Sequence, residues 1–150
     1  MDIGKPERAT QRRVLALFRE RLGYRYLGDW TDREGNSNIE ECLLRAHLAR
    51  GGYTEAQITA ALYRLRTEAD NKSRSLYQNN QAIYDLLRYG VPVKVEAGRP
   101  TETVQLVDWR HPERNDFAIA EEVTLRGGHE RRPDLVLYLN GIAVAVIELK

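Results

Sequence analysis

Three charged residues stand near the end of the 150-residue sequence where a strand built only to fill a core would have no use for them. In "ERRPDLVLYLNGIAVAVIELK", Asp134 opens one apolar run, and Glu148 and Lys150 close the next. Two carboxylates brought close together repel unless a cation neutralises them. A divalent ion with oxygen ligands does this, and Mg²⁺ suits a set made of carboxylate, water and phosphate. A lysine beside such a pair can orient or deprotonate a water, or stabilise charge on a phosphate in the transition state. The chemistry open to this set is phosphodiester hydrolysis. A lone Glu-x-Lys equally describes a strand emerging into solvent, and Pro133-Asp134 on the preceding strand favours the site.

The set makes a demand on the fold. Alternation puts Glu148 and Lys150 on one face of the last strand. Asp134 begins the strand before it, so both acids lie at the hairpin end away from Asn140-Gly141. A two-residue Asn-Gly turn pairs Leu139 with Ile142 and hence Asp134 with Ile147, which sends Glu148 to the opposite face. A three-residue loop, Leu139-Asn140-Gly141, changes the parity and lets the acids converge; so does a bulge.

The rest of the chain must position that hairpin. The first half reads as helices. In "ATQRRVLALFRERLG", Val14, Leu17 and Phe18, with Leu15 and Leu22, form an apolar face that Gly23 closes. "GDWTDREGNSN" reads as a loop, with Tyr24, Tyr26 and Trp30 beside it as partly buried core or interface rather than base-stacking residues. Ser37 with Glu40, Thr54 with Gln57 and Ser75 with Gln78 are three capping-box patterns, each opening a helix. The expected faces are Ile39, Cys42, Leu43 and Ala46 on the first of these, and Ile58, Ala61, Leu62 and Leu65 on the second. The third ends at Gly90. Strands fill the second half: "VPVKVEA" and "TETVQLVDW" around Gly98-Arg99-Pro100, then "DFAIAEEVTLR", "DLVLYL" and "IAVAVIELK". The last two, apolar on both faces, are expected to be central.

Composition bounds the class. A hydrophobic content of 42% and a charged content of 30% fit a soluble globular domain and exclude disordered and membrane classes. No apolar leader opens the sequence, and the single Cys42 agrees with a reducing, cytoplasmic setting. A net charge of +1 does not announce a nucleic-acid binder. His47, His111 and His129 are scattered, and none pairs with Cys42 at zinc-ligand spacing. Arg126, Arg131 and Arg132 flank the three charged residues and read either as phosphate contacts or as a solvated strand edge. His129 reads as a loop histidine.

"RPDLVLYLNGIAVAVIELK" resembles the PD-(D/E)xK nuclease signature in the form used by restriction subunits of type I restriction–modification enzymes. There an R-P-D strand leads through an N-G turn to a strand ending E-L-K. "NDFAIAEEVTLRG" resembles that family's Asn-x-Phe strand, and "TQRRVLALFRERLGY" its opening helix followed by Gly-Tyr. The resemblance implies an α/β, restriction-endonuclease-like fold: a mixed sheet with a central hairpin, flanked by helices and a helical insert. Residues 1–150 would be one N-terminal endonuclease domain, with the insert over 37–90 and the nuclease sheet over 91–150.

Carried over, Asp134 and Glu148 would ligate Mg²⁺, the Leu149 backbone carbonyl would complete the coordination, and Lys150 would be the catalytic lysine. Pro133 would fix the entry to the strand. Some members add a glutamate from the first helix; Glu7 is the candidate, against its reading as a solvated first-turn acid. The substrate would be double-stranded DNA, cut without base-specific recognition by this chain. Methyltransferase and specificity subunits would be partners, and ATP and S-adenosylmethionine would serve only the full complex. The family's Gln-x-x-x-Tyr helix, ATP-driven translocase domains and docking region are not in these residues, and no G-x-x-x-x-G-K-[ST] loop is present, so the sequence reads as a fragment. Two alternatives stand beside this reading: an inactive nuclease-like module that binds DNA or a partner, and a stand-alone repair-type nuclease.

Overall fold

A computed structural model describes residues 4–125 and 130–150. In chain order its elements are helix α1 (Gly4–Ala16), a π-helical turn (Leu17–Arg21), strand β1 (Arg25–Asp29), helices α2 (Glu41–Arg50), α3 (Glu55–Ala69) and α4 (Leu76–Tyr89), strands β2 (Val91–Val93) and β3 (Glu102–Val104), a short 3₁₀ turn (Pro112–Arg114), and strands β4 (Phe117–Glu121), β5 (Leu135–Leu139) and β6 (Ile142–Ile147). They divide into two compact units. One combines the chain up to Glu40 with the chain from Asp116; the other is Glu41–Asn115.

The first unit is a four-stranded mixed sheet in the order β1-β4-β5-β6. β1 runs parallel to β4, and the other neighbours are antiparallel. Successive residues of β4 point to opposite faces, and the core follows that period of two. Ile119 and Leu135 pack with Leu15 of α1, joined by Val14, Phe18, Tyr24, Tyr26 and Leu137. Ala118, Ala120, Val136 and Tyr138 pack on the other face with Trp30. Each large aliphatic chain so buried contributes on the order of 2 kcal/mol from removed apolar area.

Several expectations are corrected here. Strand β1 is not among the expected elements; it precedes the stretch read as a loop and overlaps it only at Gly28 and Asp29. Trp30, expected as partly buried core or interface, is 8% exposed in the core. The π-helical turn closes through Leu22 N–H to Leu17 O at 3.1 Å. Its extra residue re-phases the helix, so Leu17 and Leu22 face solvent while Val14, Leu15 and Phe18 stay on the core. The hairpin is not central on both strands. β5 lies between β4 and β6, but β6 is the last strand of the sheet, with Val144 and Val146 exposed. Only its first residues gain a second neighbour: Ile39 bridges Ile142, and Ala143 N–H donates to Asn38 O at 2.8 Å.

That pairing also explains why α2 starts late. Glu40 accepts the Ser37 N–H at 3.2 Å as a capping box requires, but the Ser37 hydroxyl accepts from Ile39, two residues on, and the backbone stays extended to the edge of β6. The buried face of α2 is therefore Leu44, His47 and Leu48, while Cys42 and Ala46 are exposed.

The second unit follows its local signals more closely. The Thr54 hydroxyl accepts from Gln57 N–H at 3.2 Å and the Gln57 amide oxygen accepts from Thr54 N–H at 2.8 Å. Ser75 and Gln78 make the same reciprocal pair. Ile58, Ala61, Leu62 and Leu65 are the buried face of α3. Gly90 ends α4 at φ +89°, and a Cβ there would meet the Thr103 methyl at 2.6 Å, so both conformation and space call for glycine. β2 and β3 pair antiparallel as a separate two-stranded sheet, so the strands read over 91–150 belong to two sheets.

Candidate functional site

The geometry of the β5–β6 hairpin decides whether the three charged residues can act together. Asn140 and Gly141 form the tightest turn, with φ of +53° and +85°, and they pair Leu139 with Ile142. Continued without interruption, that register would set Asp134 against Ile147. It is interrupted. Tyr138 pairs with Ala143 but Leu137 pairs with Ala145, so Val144 is an extra residue, a β-bulge. Beyond it Leu135 pairs with Ile147. Continuing the corrected register by one position sets Asp134 across from Glu148, and residues opposite each other in an antiparallel pair share a face. Lys150, two residues on, follows Glu148.

The turn is fastened by side chains from the same unit. Asn140 is fully buried; its Oδ1 accepts the Asp116 N–H at 2.7 Å and its N–H donates to Asp116 O at 2.8 Å. Asp116 in turn takes two bonds from the Arg25 guanidinium, at 3.2 and 2.6 Å. Asp134 is held from both neighbouring strands. Its carbonyl accepts the Glu122 N–H at 2.9 Å, and its Oδ2 accepts the Leu149 N–H at 2.6 Å. Pro133 is buried just before it, while Glu148 and Lys150 are exposed.

The donor chemistry fits an oxygen-liganded cation. Two carboxylates aligned across a strand pair, open to water, are what a hydrated Mg²⁺ takes. Among the described residues no group of three or more His, Cys, Asp or Glu gathers to hold a metal; Glu7 is exposed in the first turn of α1. Leu149 contributes an N–H to Asp134. Arg132 is engaged by Glu122 at 3.0 Å, and the Arg131 backbone bridges Leu125. Arg126 and His129 lie outside the described residues.

Sequence reasoning passed over one group beside this hairpin. Tyr26 O–H donates to Glu121 Oε1 at 2.7 Å, and the Gln11 amide donates to Glu121 at 3.0 Å and to Glu122 at 3.3 Å. Burial, and then the bond to Glu121, push the Tyr26 phenol up to about 12. Glu122 sits at φ +50°, a left-handed conformation that costs a non-glycine residue about 1–2 kcal/mol. It is held there by Gln11, by Arg132 and by its own N–H on Asp134. Asp29, also lining this cavity of about 370 Å³, is held below the usual carboxylate range by the Thr31 hydroxyl and N–H. The available signal was the Glu121-Glu122 doublet closing an apolar strand, the same kind of signal as Asp134 opening one.

Residues 5–150 match the family model described as the type I restriction enzyme R protein N terminus. The "Putative type I restriction enzyme MjaIXP endonuclease subunit" of Methanocaldococcus jannaschii is 25% identical over 143 residues, which is 86% of this chain and 14% of that protein. The "Type I restriction enzyme HindI endonuclease subunit" of Haemophilus influenzae is 37% identical over 79 residues, 50% of this chain and 8% of that protein. The chain thus spans only a small part of the length of these relatives. No described helix is long and apolar enough to cross a membrane. The chain belongs to the family formed by the N terminus of type I restriction enzyme R proteins.

Proposed function

We propose that this chain is the part of a type I restriction endonuclease subunit that hydrolyses phosphodiester bonds of double-stranded DNA with Mg²⁺, on a restriction-endonuclease-like fold. The observation that carries the reading is the Val144 bulge, whose register, continued one position past Leu135–Ile147, would set Glu148 across from Asp134 despite the two-residue turn. Asp134 and Glu148 would hold the ion, which when bound supplies Lewis acidity and an activated water. The Leu149 N–H fixes the orientation of the Asp134 carboxylate. Lys150, on the strand end beside them, stabilises charge on the phosphate oxygens or orients the attacking water. Methyltransferase and specificity subunits, ATP and S-adenosylmethionine belong to the complete enzyme that this family implies.

The second reading is a nuclease-like module that binds DNA without cutting it. What favours it is that, among the described residues, no third His, Cys, Asp or Glu side chain gathers with the pair. Plasmid cleavage separates the two. The full-length subunit, reconstituted with methyltransferase and specificity partners, Mg²⁺ and ATP, should lose cleavage on the order of 100-fold or more in Asp134→Ala and in Lys150→Ala. ATP turnover should persist in both. Cleavage at the wild-type rate in either variant removes the hairpin from the chemistry.

A further inference from the structure

The Glu41–Asn115 unit carries a cleft of about 440 Å³ whose lining includes Tyr53, Arg88, Asp108, Trp109 and Arg110. Trp109 is unusual in being both fixed and exposed. Its indole N–H donates to Leu87 O at 3.1 Å, yet the residue is 55% exposed. An indole with its polar edge satisfied and much of its surface open to solvent is suited to stacking. Tyr53 borders the same cleft, tethered through its hydroxyl, which accepts the Gln105 N–H at 2.9 Å.

The arginines of the cleft differ from several others in this unit. Arg45, Arg64, Arg66 and Arg74 in this unit each hold a carboxylate. Arg88 and Arg110 are exposed, and neither forms an ion pair with a described residue. Asp108 is the acid of the cleft; its Oδ1 accepts the His111 N–H at 2.9 Å, and that bond holds its carboxyl below the usual range. Two guanidiniums against one carboxylate leave the lining net positive. Cations beside an exposed, fixed aromatic ring are the chemistry that takes a phosphate and an unpaired base together.

We propose that this cleft binds an unpaired nucleotide of DNA, its phosphate on Arg88 and Arg110 and its base against Trp109. The proposal rests on the reading that the chain acts on DNA, but it concerns a site in the other unit and requires no cleavage. The test titrates a single-stranded oligothymidylate of about 12 nucleotides into this chain without divalent cation and follows tryptophan fluorescence. Trp30 is buried, so quenching reports Trp109. Saturable quenching is expected, with affinity falling at least tenfold in Arg88→Ala/Arg110→Ala and the salt dependence losing a slope of about 0.7 for the one phosphate. With binding followed instead by anisotropy of a fluorescently labelled oligothymidylate, Trp109→Phe should retain most of the affinity and Trp109→Leu should lose it, each with unchanged helix content by circular dichroism. No quenching, an unchanged affinity in the double arginine variant, or equal binding of a duplex of the same length overturns the proposal. The cleavage result for Asp134→Ala is read separately, so failure here leaves the hairpin reading standing.

Discussion

The two units of this chain are stabilised over different distances along the sequence. In the Glu41–Asn115 unit the helix starts are fixed by near neighbours, Thr54 with Gln57 and Ser75 with Gln78, with Arg74 on Glu68 at 2.7 Å. Its longer-range side-chain bonds include Gln105 to Tyr53, across 52 positions. The sheet unit is tied by side-chain bonds spanning 91 to 110 positions, Arg25 to Asp116, Tyr26 to Glu121 and Gln11 to Glu121. A helix cap lost from the first unit costs its own bond and little else. A change in the hairpin of the second unit moves every residue beyond it. The candidate chemistry sits in the unit where single residues set geometry, and that contrast can be tested.

The largest effect should come from inserting one alanine between Val144 and Ala145. The bulge is then exceeded, and Glu148 and Lys150 shift by one position against Asp134. Cleavage by the reconstituted full-length enzyme should fall on the order of 100-fold while far-UV circular dichroism is preserved. Deleting Val144 makes the opposite test. The hairpin becomes regular and Asp134 still faces Glu148, so most of the activity should survive; equal loss in both variants would show that the register is not what matters.

Next comes Asn140→Ala. It leaves the Asp116 N–H without its acceptor and puts alanine at φ +53°, for a loss of about 3 kcal/mol measured by denaturant unfolding. Hydrogen exchange should rise first in β4, β5 and β6. The smallest effects belong to Thr54→Ala and Ser75→Ala, about 1 kcal/mol each, with faster exchange confined to the first turns of α3 and α4. If the cap variants loosen the sheet as much as Asn140→Ala does, the two units do not differ in the way described.

The same contrast explains what could be read from sequence. The caps and buried face of α3, the start of α4 and its stop at Gly90 are signalled within a few residues, and they stand as expected. The candidacy of Asp134, Glu148 and Lys150 was legible because charges at the ends of apolar runs are costly unless used or solvated. Their convergence was not. It depends on Val144, an ordinary strand residue that carries no signal of its own, while Asn140-Gly141 by itself argues for the wrong parity. The late start of α2 has the same origin, since Ser37 and Glu40 look like a helix start until the edge of β6 claims Asn38 and Ile39. The bond between Tyr26 and Glu121 was missed because nothing near either residue names the other.

The central claim is that the bulge makes Asp134 and Glu148 a cation-binding pair. Titration calorimetry with Mn²⁺ and Mg²⁺ on this chain tests it without any need for cleavage. One divalent site is expected in the wild type, weakened at least tenfold in both Asp134→Asn and Glu148→Gln, each of which removes one ligand charge while keeping the shape. A wild-type chain that binds no divalent ion, or a Glu148→Gln variant that binds as tightly as wild type, would contradict it.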